Sequence, residues 1–134
     1  MLFTMKTKTE IKVRSTHIDV MGHVNNAKFL EYMEWGREEW YNRIGVDFPA
    51  LEKRGLGTVV VNINIDFLKE AVQDDILTII TEPLRRGNKS YELLHKIYNQ
   101  NNKLIAKAEV ISLIIDFEDR NSVALIPEIA DCYK

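Results

Sequence analysis

Ten residues, His17 to Asn26 (HIDVMGHVNN), place two histidines, an aspartate, a glycine and two asparagines ahead of a long amphipathic run. Asp19 is the one carboxylate among them. Such a group can attack a carbonyl carbon or take a proton from water. If a helix starts here, the backbone amides near Asn26 and Ala27 lack intrahelical acceptors and sit at the positive end of its dipole. They suit a carbonyl oxygen that turns negative as a tetrahedral intermediate forms. Gly22 lets the backbone pass close to a ligand. Together these parts describe acyl transfer or hydrolysis, with no metal or redox cofactor required. A plainer account also covers the ten residues. Asp19-Val20-Met21-Gly22 fits a type I turn, with Asp first and Gly fourth. Asn25 and Asn26 suit a loop end and a helix cap. His17 and His23, taken singly, read as hydrogen-bonded structural residues, and no histidine or glutamate completes a ligand set at helical spacing, so no metal site is expected.

The elements that must position this loop follow from periodicity. Thr7 to Ser15 alternates polar and apolar residues and reads as a half-buried strand. From Ala27 to Ile44, Phe29, Met33, Gly36, Trp40 and Ile44 form one line at steps of three and four, with Leu30, Arg37 and Tyr41 beside it. Asn26 is the expected N-cap and Gly45 the expected stop. Arg37 and the glutamates Glu31, Glu34 and Glu38 read as solvated or ion-pair positions. The segment before Thr58 has room for one short helical turn. In VVVNINIDFL, strict alternation puts Val59, Val61, Ile63, Ile65 and Phe67 on one face, and Val60, Asn62, Asn64 and Asp66 on the other. Three more strands follow, separated by turns at Arg86-Gly87-Asn88-Lys89 and Asn99-Gln100-Asn101-Asn102. The expected architecture is an antiparallel meander curled around one helix, with open edges that a second copy would close.

Composition agrees with one ordinary domain. The chain has 134 residues, 46% hydrophobic and 28% charged, with a formal net charge of −2. No lysine or arginine cluster dominates a segment, so no nucleic-acid partner is expected. No apolar run approaches the roughly 20 residues of a membrane span, and the opening MLFTMKTKTE lacks a signal-peptide core. With Cys132 as the one cysteine, the expectation is a soluble, cytoplasmic protein without disulfides.

The stretch RSTHIDVMGHVNNAKFLEYMEWGR resembles the N-terminal signature of the hotdog-fold acyl-CoA thioesterases of the 4-hydroxybenzoyl-CoA thioesterase-like family. That signature runs Arg, an Asp-x-Asp pair, Gly-His-Val-Asn-Asn, an aromatic, and an Ala/Gly-Arg pair along the helix. VVVNINIDFLKEAVQDDILTI and GNKSYEL are similar to its later strands, so the likeness spans essentially the whole chain, residues 1–134, as a single hotdog thioesterase domain. It implies an α+β hotdog fold, an antiparallel five-stranded sheet curled around one long central helix. It implies hydrolysis of acyl-CoA thioesters to free acid and coenzyme A, in a homodimer or homotetramer with the pantetheine arm running between subunits. By position, Asp19 matches the catalytic carboxylate, as nucleophile or general base. Asn26 matches the residue whose backbone N–H polarises the thioester carbonyl. His23 and Asn25 match positions lining the site. In the similar plant acyl-carrier-protein thioesterases a His and an Asn near here have catalytic parts. Two departures stand out: His17 occupies the first Asp position of the pair, and Lys69-Glu70-Ala71 stands where a proline often follows the strand.

Charge and position alone nominate Arg86, Lys89 and Ser90 for the coenzyme A phosphates. Solvated strand-end residues are the plainer account of the three. Two other activities stay open at this level. A non-catalytic acyl-thioester or acyl-carrier binding module would carry the same groove and helix dipole. A hotdog dehydratase or hydratase acting on 3-hydroxyacyl thioesters would place its Asp and His at another spacing than Asp19 and His23. Acyl type, chain length, and coenzyme A against acyl carrier protein are left undecided by the sequence. The acyl tail is expected near Tyr32, Trp35 or Trp40, although aromatic residues on a helix are more often core.

Overall fold

The computed structural model describes residues 5–133. A first strand, β1 (Thr7–Lys12), leads through a 3-10 turn at Ser15–His17 to the long helix α1 (Asn26–Ile44). A short helix α2 (Phe48–Lys53) precedes β2 (Leu56–Phe67), β3 (Ile76–Arg86), β4 (Ser90–Tyr98) and β5 (Leu104–Asp116). A two-residue strand β6 (Ser122–Val123) and a short helix α3 (Pro127–Ala130) follow. No helix among the described residues is long and apolar enough to cross a membrane.

All pairings are antiparallel, in the order β1-β3-β4-β5-β2. Only β3, β4 and β5 form the expected meander. β2 does not pair with its neighbour in sequence, β3, but lies at the far edge against β5. The reason is the connection 68–75, too long for a hairpin turn and tied elsewhere by its own backbone. The Leu68 and Lys69 amides bond the Ile105 carbonyl, Ala71 C=O accepts from Val24, and Asp74 N–H bonds Val13 C=O. The sheet gains a sixth short strand because β4 begins opposite Leu113, which frees the flank of Ile114 and Ile115 for Val123 and Ser122.

α1 ends where expected: Gly45 adopts φ 85°, and its amide bonds the Tyr41 and Asn42 carbonyls. The start differs by one residue. Asn25, not Asn26, is the N-cap, and its side chain accepts from Ala27 N–H at 2.8 Å. α2 is capped by Asp47, whose carboxylate accepts from the Ala50 amide.

The helix lies against β1 and β3. Phe29, Tyr32 and Met33 join Leu77, Ile79, Ile97 and Ala106 in one buried cluster, and Trp40 and Tyr41 join Tyr91, Leu93, Ile114 and Ile129 in a second. Tyr32 and Trp40 are fully buried, hence core and not tail-binding residues. Arg37 is also buried, contrary to the solvated position expected from its charge. Gly36 sets how closely helix and sheet approach. A Cβ built there would stand 2.7 Å from Thr81 Oγ1 and 2.8 Å from Ile79 Cγ2. Gly36→Ala is therefore expected to destabilise the fold by about 1–3 kcal/mol despite the better helix propensity of alanine. Urea denaturation of the variant beside wild type measures this, and an unchanged midpoint would refute the close-approach argument.

β2 departs from strict alternation. A bulge lies between Val60, opposite Ser112, and Asn62, opposite Ile111. Ser112 and Val110 are buried while Ile111 and Leu113 are half-exposed. The extra residue, Val61, therefore swaps the faces: Thr58 and Val60 point toward α1 before it, and Ile63, Ile65 and Phe67 after it. Val59, expected to share the Ile63 face, turns outward.

Candidate active site

The loop ahead of α1 folds into a small hairpin. Ile18 and Val24 form an antiparallel bridge, and Asp19 N–H bonds His23 C=O at 3.0 Å. The turn expected at its tip is present: Gly22 N–H bonds Asp19 C=O, and Gly22 takes φ 86°, which a side chain would strain. The hairpin is fastened at its base, where Asn25 N–H bonds His17 C=O and Val24 N–H bonds Ala71 C=O at 2.8 Å. The connection 68–75 thereby becomes one wall of the site.

This hairpin brings Asp19 beside His23. One Asp19 carboxylate oxygen accepts from the Met21 amide at 2.9 Å and lies 4.0 Å from His23 Nδ1. His23 Nε2 in turn lies 3.8 Å from Glu70, on the connection wall. His23, Asn26, Phe29, Phe67, Lys69 and Glu70 line a groove of about 210 Å³ at the start of α1. Among the described residues no acceptor bonds the Asn26 amide, whereas the Ala27 amide is taken by the Asn25 cap. The helix thus offers one free amide at its positive end, not two. Asn25 works through the cap, and Gly22 shapes the turn at the far tip of the hairpin.

Asn26 and Phe67 also line a second groove, of about 400 Å³, together with Ala27, Leu30, Ile63 and Ile65. At this end of α1 the Phe29 and Phe67 rings meet, with centroids 5.7 Å apart. Toward the other end of α1, Glu34, Arg37, Glu38, Tyr41, Phe48, Thr58 and Val60 line a separate cavity of about 330 Å³.

Arg86, Lys89 and Ser90 do not join the site within one chain. Ser90 pairs with Leu113, whereas Phe67 at the groove pairs with Ala106. Seven residues of β5 separate the two, about 23 Å of extended strand. Arg86 instead bonds the carbonyl of Gly87 in its own turn.

His17, at the position where the resemblance has aspartate, is a neutral side chain in this environment. Its Nδ1 accepts from the Arg14 amide at 3.2 Å and from the Tyr32 hydroxyl at 2.8 Å. Burial, followed by the charge of Lys28, pulls its proton affinity below the ordinary imidazole range. Asp19 consequently has no second anion on its own loop.

Beneath α1 lies a polar chain that sequence reasoning missed. Arg37 Nη1 donates to His95 Nε2 at 3.4 Å, and His95 Nδ1 pairs with Thr81 Oγ1 at 2.9 Å. Since an arginine can only donate, Nδ1 carries the proton and donates to Thr81. Burial first, and the guanidinium second, push His95 down to about 3. Next to it the Tyr41 and Tyr91 hydroxyls share a hydrogen bond, and burial raises both phenols well above their usual range. His95 sits in an otherwise apolar strand pattern, and that was the available signal.

Residues 13–131 match the family model of the thioesterase-like superfamily. The long-chain acyl-CoA thioesterase FadM of Escherichia coli (strain K12) is 35% identical over 126 residues, covering 92% of this chain and 94% of its own length. The crystal structure of YbaW from Escherichia coli, 32% identical, superposes with a TM-score of 0.81 over 95% of this chain and 98% of that one. A 1,4-dihydroxy-2-naphthoyl-CoA thioesterase from Synechocystis shares the fold at a TM-score of 0.87 and 19% identity, covering 95% and 94% of the two chains.

Proposed function

This chain belongs to the thioesterase-like superfamily, and from that premise we propose that its Asn26 groove is where it cleaves acyl-CoA. Its fold is the hotdog fold, and its activity is hydrolysis of acyl-CoA thioesters to free acid and coenzyme A. The observation that carries the assignment of the site is the free Asn26 amide in a groove lined by His23, with Asp19 on the same hairpin.

The thioester carbonyl oxygen docks on the Asn26 N–H, where the helix dipole favours negative charge. Asp19 then acts in one of two ways. As a general base it takes a proton from water as the water oxygen bonds the carbonyl carbon. As a nucleophile it bonds that carbon itself, and water opens the resulting anhydride. In both, the oxyanion rests on the Asn26 amide, the carbon–sulfur bond breaks, and the thiolate departs and is protonated. His23, which lines the groove, stands 4.0 Å from the carboxylate of Asp19, which does not itself line it.

A homo-oligomer is part of the same proposal. The two sheet edges are unlike. β1 is short and carries Lys8, Glu10 and Lys12, which blunt an edge against pairing. β2 is 12 residues long and exposes Val59, Val60, Val61, Ile63 and Phe67. A second copy of the chain is the natural cover for such an edge, and sedimentation velocity measures it. The cytoplasm is the proposed compartment, and an acyl carrier protein is the alternative carrier of the substrate.

The deciding assay measures free thiol released from a panel of acyl-CoAs, with an enoyl-CoA hydration arm in parallel. Thiol release with catalytic turnover is expected. Tight acyl-CoA binding without thiol release would instead mark a binding module, and hydration without hydrolysis a hydratase.

A further inference from the structure

Resting on the hydrolase reading of the Asn26 groove in its general-base form, we infer that Glu70 is a positioning residue for His23. It holds the one proton of the neutral His23 ring on Nε2, from which the ring protonates the departing sulfur.

The proton that Asp19 takes from water ends on a carboxyl that does not line the groove. The sulfur leaves inside the groove, because it is bonded to the carbon whose oxygen rests on the Asn26 amide. His23 spans the two places. Its Nδ1 faces Asp19 Oδ1 at 4.0 Å, and the ring itself lines the groove. Its Nε2 faces Glu70 Oε1 at 3.8 Å, and Glu70 lines the groove as well. Both distances exceed a hydrogen bond, and such contacts tighten when substrate fills a site.

The backbone puts Glu70 there. Val24 N–H bonds Ala71 C=O at 2.8 Å, which ties the residue after His23 to the residue after Glu70. On the other side Lys69 N–H bonds Ile105 C=O at 3.1 Å. Glu70 also belongs to the Lys69-Glu70-Ala71 departure, so this arrangement is the chain's own and not one the resemblance implies.

A neutral imidazole carries one N–H, and here two carboxylates compete for it. Asp19 Oδ1 already accepts from the Met21 amide. The Glu70 carboxylate has no hydrogen bond or ion pair other than His23 among the described residues. The proton therefore sits on Nε2, and the Nδ1 lone pair is left facing Asp19. The transfer then balances. Asp19 passes the water-derived proton to Nδ1 as Nε2–H goes to the thiolate. The result is free thiol, an ionised Asp19 and a neutral ring protonated on Nδ1. The ring is restored by taking a solvent proton on the Glu70 side and losing the one on Nδ1. With the other starting tautomer Nδ1 could not accept, and the thiolate would wait on solvent for its proton.

Glu70→Ala tests this, at a side chain 73% exposed and so dispensable to the fold. Screening at such a site weakens its hold on the ring, which puts the effect below the usual range for an acid–base group. On acyl-CoA, kcat should fall about 10-fold while KM stays near wild type. On an S-aryl thioester of the same acyl group, whose thiolate leaves without a proton, kcat should be unchanged. A merely structural contact would lower both alike. Imidazole 15N spectra in alkaline buffer give a second readout that needs no turnover. The His23 proton should move from Nε2 to Nδ1 in Glu70→Ala, while the His17 and His95 signals stay in place. Unchanged kcat on acyl-CoA, equal loss on both thioesters, or a wild-type His23 proton on Nδ1 would overturn the inference. If wild type releases no thiol from any thioester, the hydrolase reading is what fails. The 15N spectra then decide the placement: a proton that leaves Nε2 in Glu70→Ala supports it, and an unmoved one overturns it.

Discussion

Asp19→Asn is expected to lower kcat on every acyl-CoA the protein accepts by about 100-fold or more, while KM and the thermal midpoint stay near wild type. The substitution is chosen for what it keeps. Asparagine retains the side-chain oxygen that accepts from the Met21 amide, so the turn at the tip of the hairpin stands. What disappears is the negative charge and, with it, the capacity to attack a carbonyl or deprotonate water. His17 cannot stand in, being a neutral ring committed to Tyr32 and the Arg14 amide. Glu70 is separated from Asp19 by the His23 ring. Steady-state thiol release with purified variant and wild type reads the effect directly. Wild-type turnover in Asp19→Asn would remove the carboxylate from the mechanism and leave the Asn26 amide alone.

Acid should unfold this protein through His95. The imidazole is buried between Thr81 and Arg37 and held down to about 3, against 6.5 for an ordinary histidine. The unfolded chain therefore binds a proton below about pH 6.5 that the folded chain refuses. Because the folded value is the lower one, this contribution to stability is complete above 6.5 and is lost as pH falls toward 3. The expected loss is about 2 kcal/mol at pH 5 relative to pH 7. His17, lowered for a similar reason of burial, adds in the same direction. Denaturation curves at pH 7, 6 and 5 test the slope. His95→Gln keeps a donor for Thr81 and an acceptor for Arg37 but cannot titrate, so its stability should fall much less over that range. Equal slopes in the two proteins would assign the acid sensitivity elsewhere.

The reach of the local pattern is clearest where it succeeded beside where it failed. The apolar line Phe29, Met33, Gly36 and Trp40 is the buried face of α1, and Gly45 ends the helix in the left-handed conformation. Both are decided within a few residues, by a period of 3.6 and by the absence of a Cβ. The turn at Asp19 to Gly22 belongs to the same class. The cap was misplaced by one residue because Asn25 and Asn26 have identical side chains, and only the direction of the chain entering the helix distinguishes them. Arg37, read as solvated or ion-paired because charge usually means one or the other, is buried against a neutral ring. Its burial depends on His95, 58 positions away on β4.

What the amino-acid order determined on its own is therefore local: the turn from Asp19 to Gly22, the helix behind it, and three strands joined by Gly- and Asn-rich turns. What tertiary structure alone decided is which of those parts face each other. β2 alternates perfectly as a string, yet one unpaired residue at Val61 reverses its faces, and pairing with β5 instead of β3 carries it across the sheet. Side-chain direction in a strand has period two and is set by hydrogen-bond register with another strand. Register is a property of two segments distant in sequence, and so no reading of either one contains it. The grooves that meet at Asn26 and Phe67, and the exclusion of Arg86, Lys89 and Ser90 from them within one chain, both follow from that pairing.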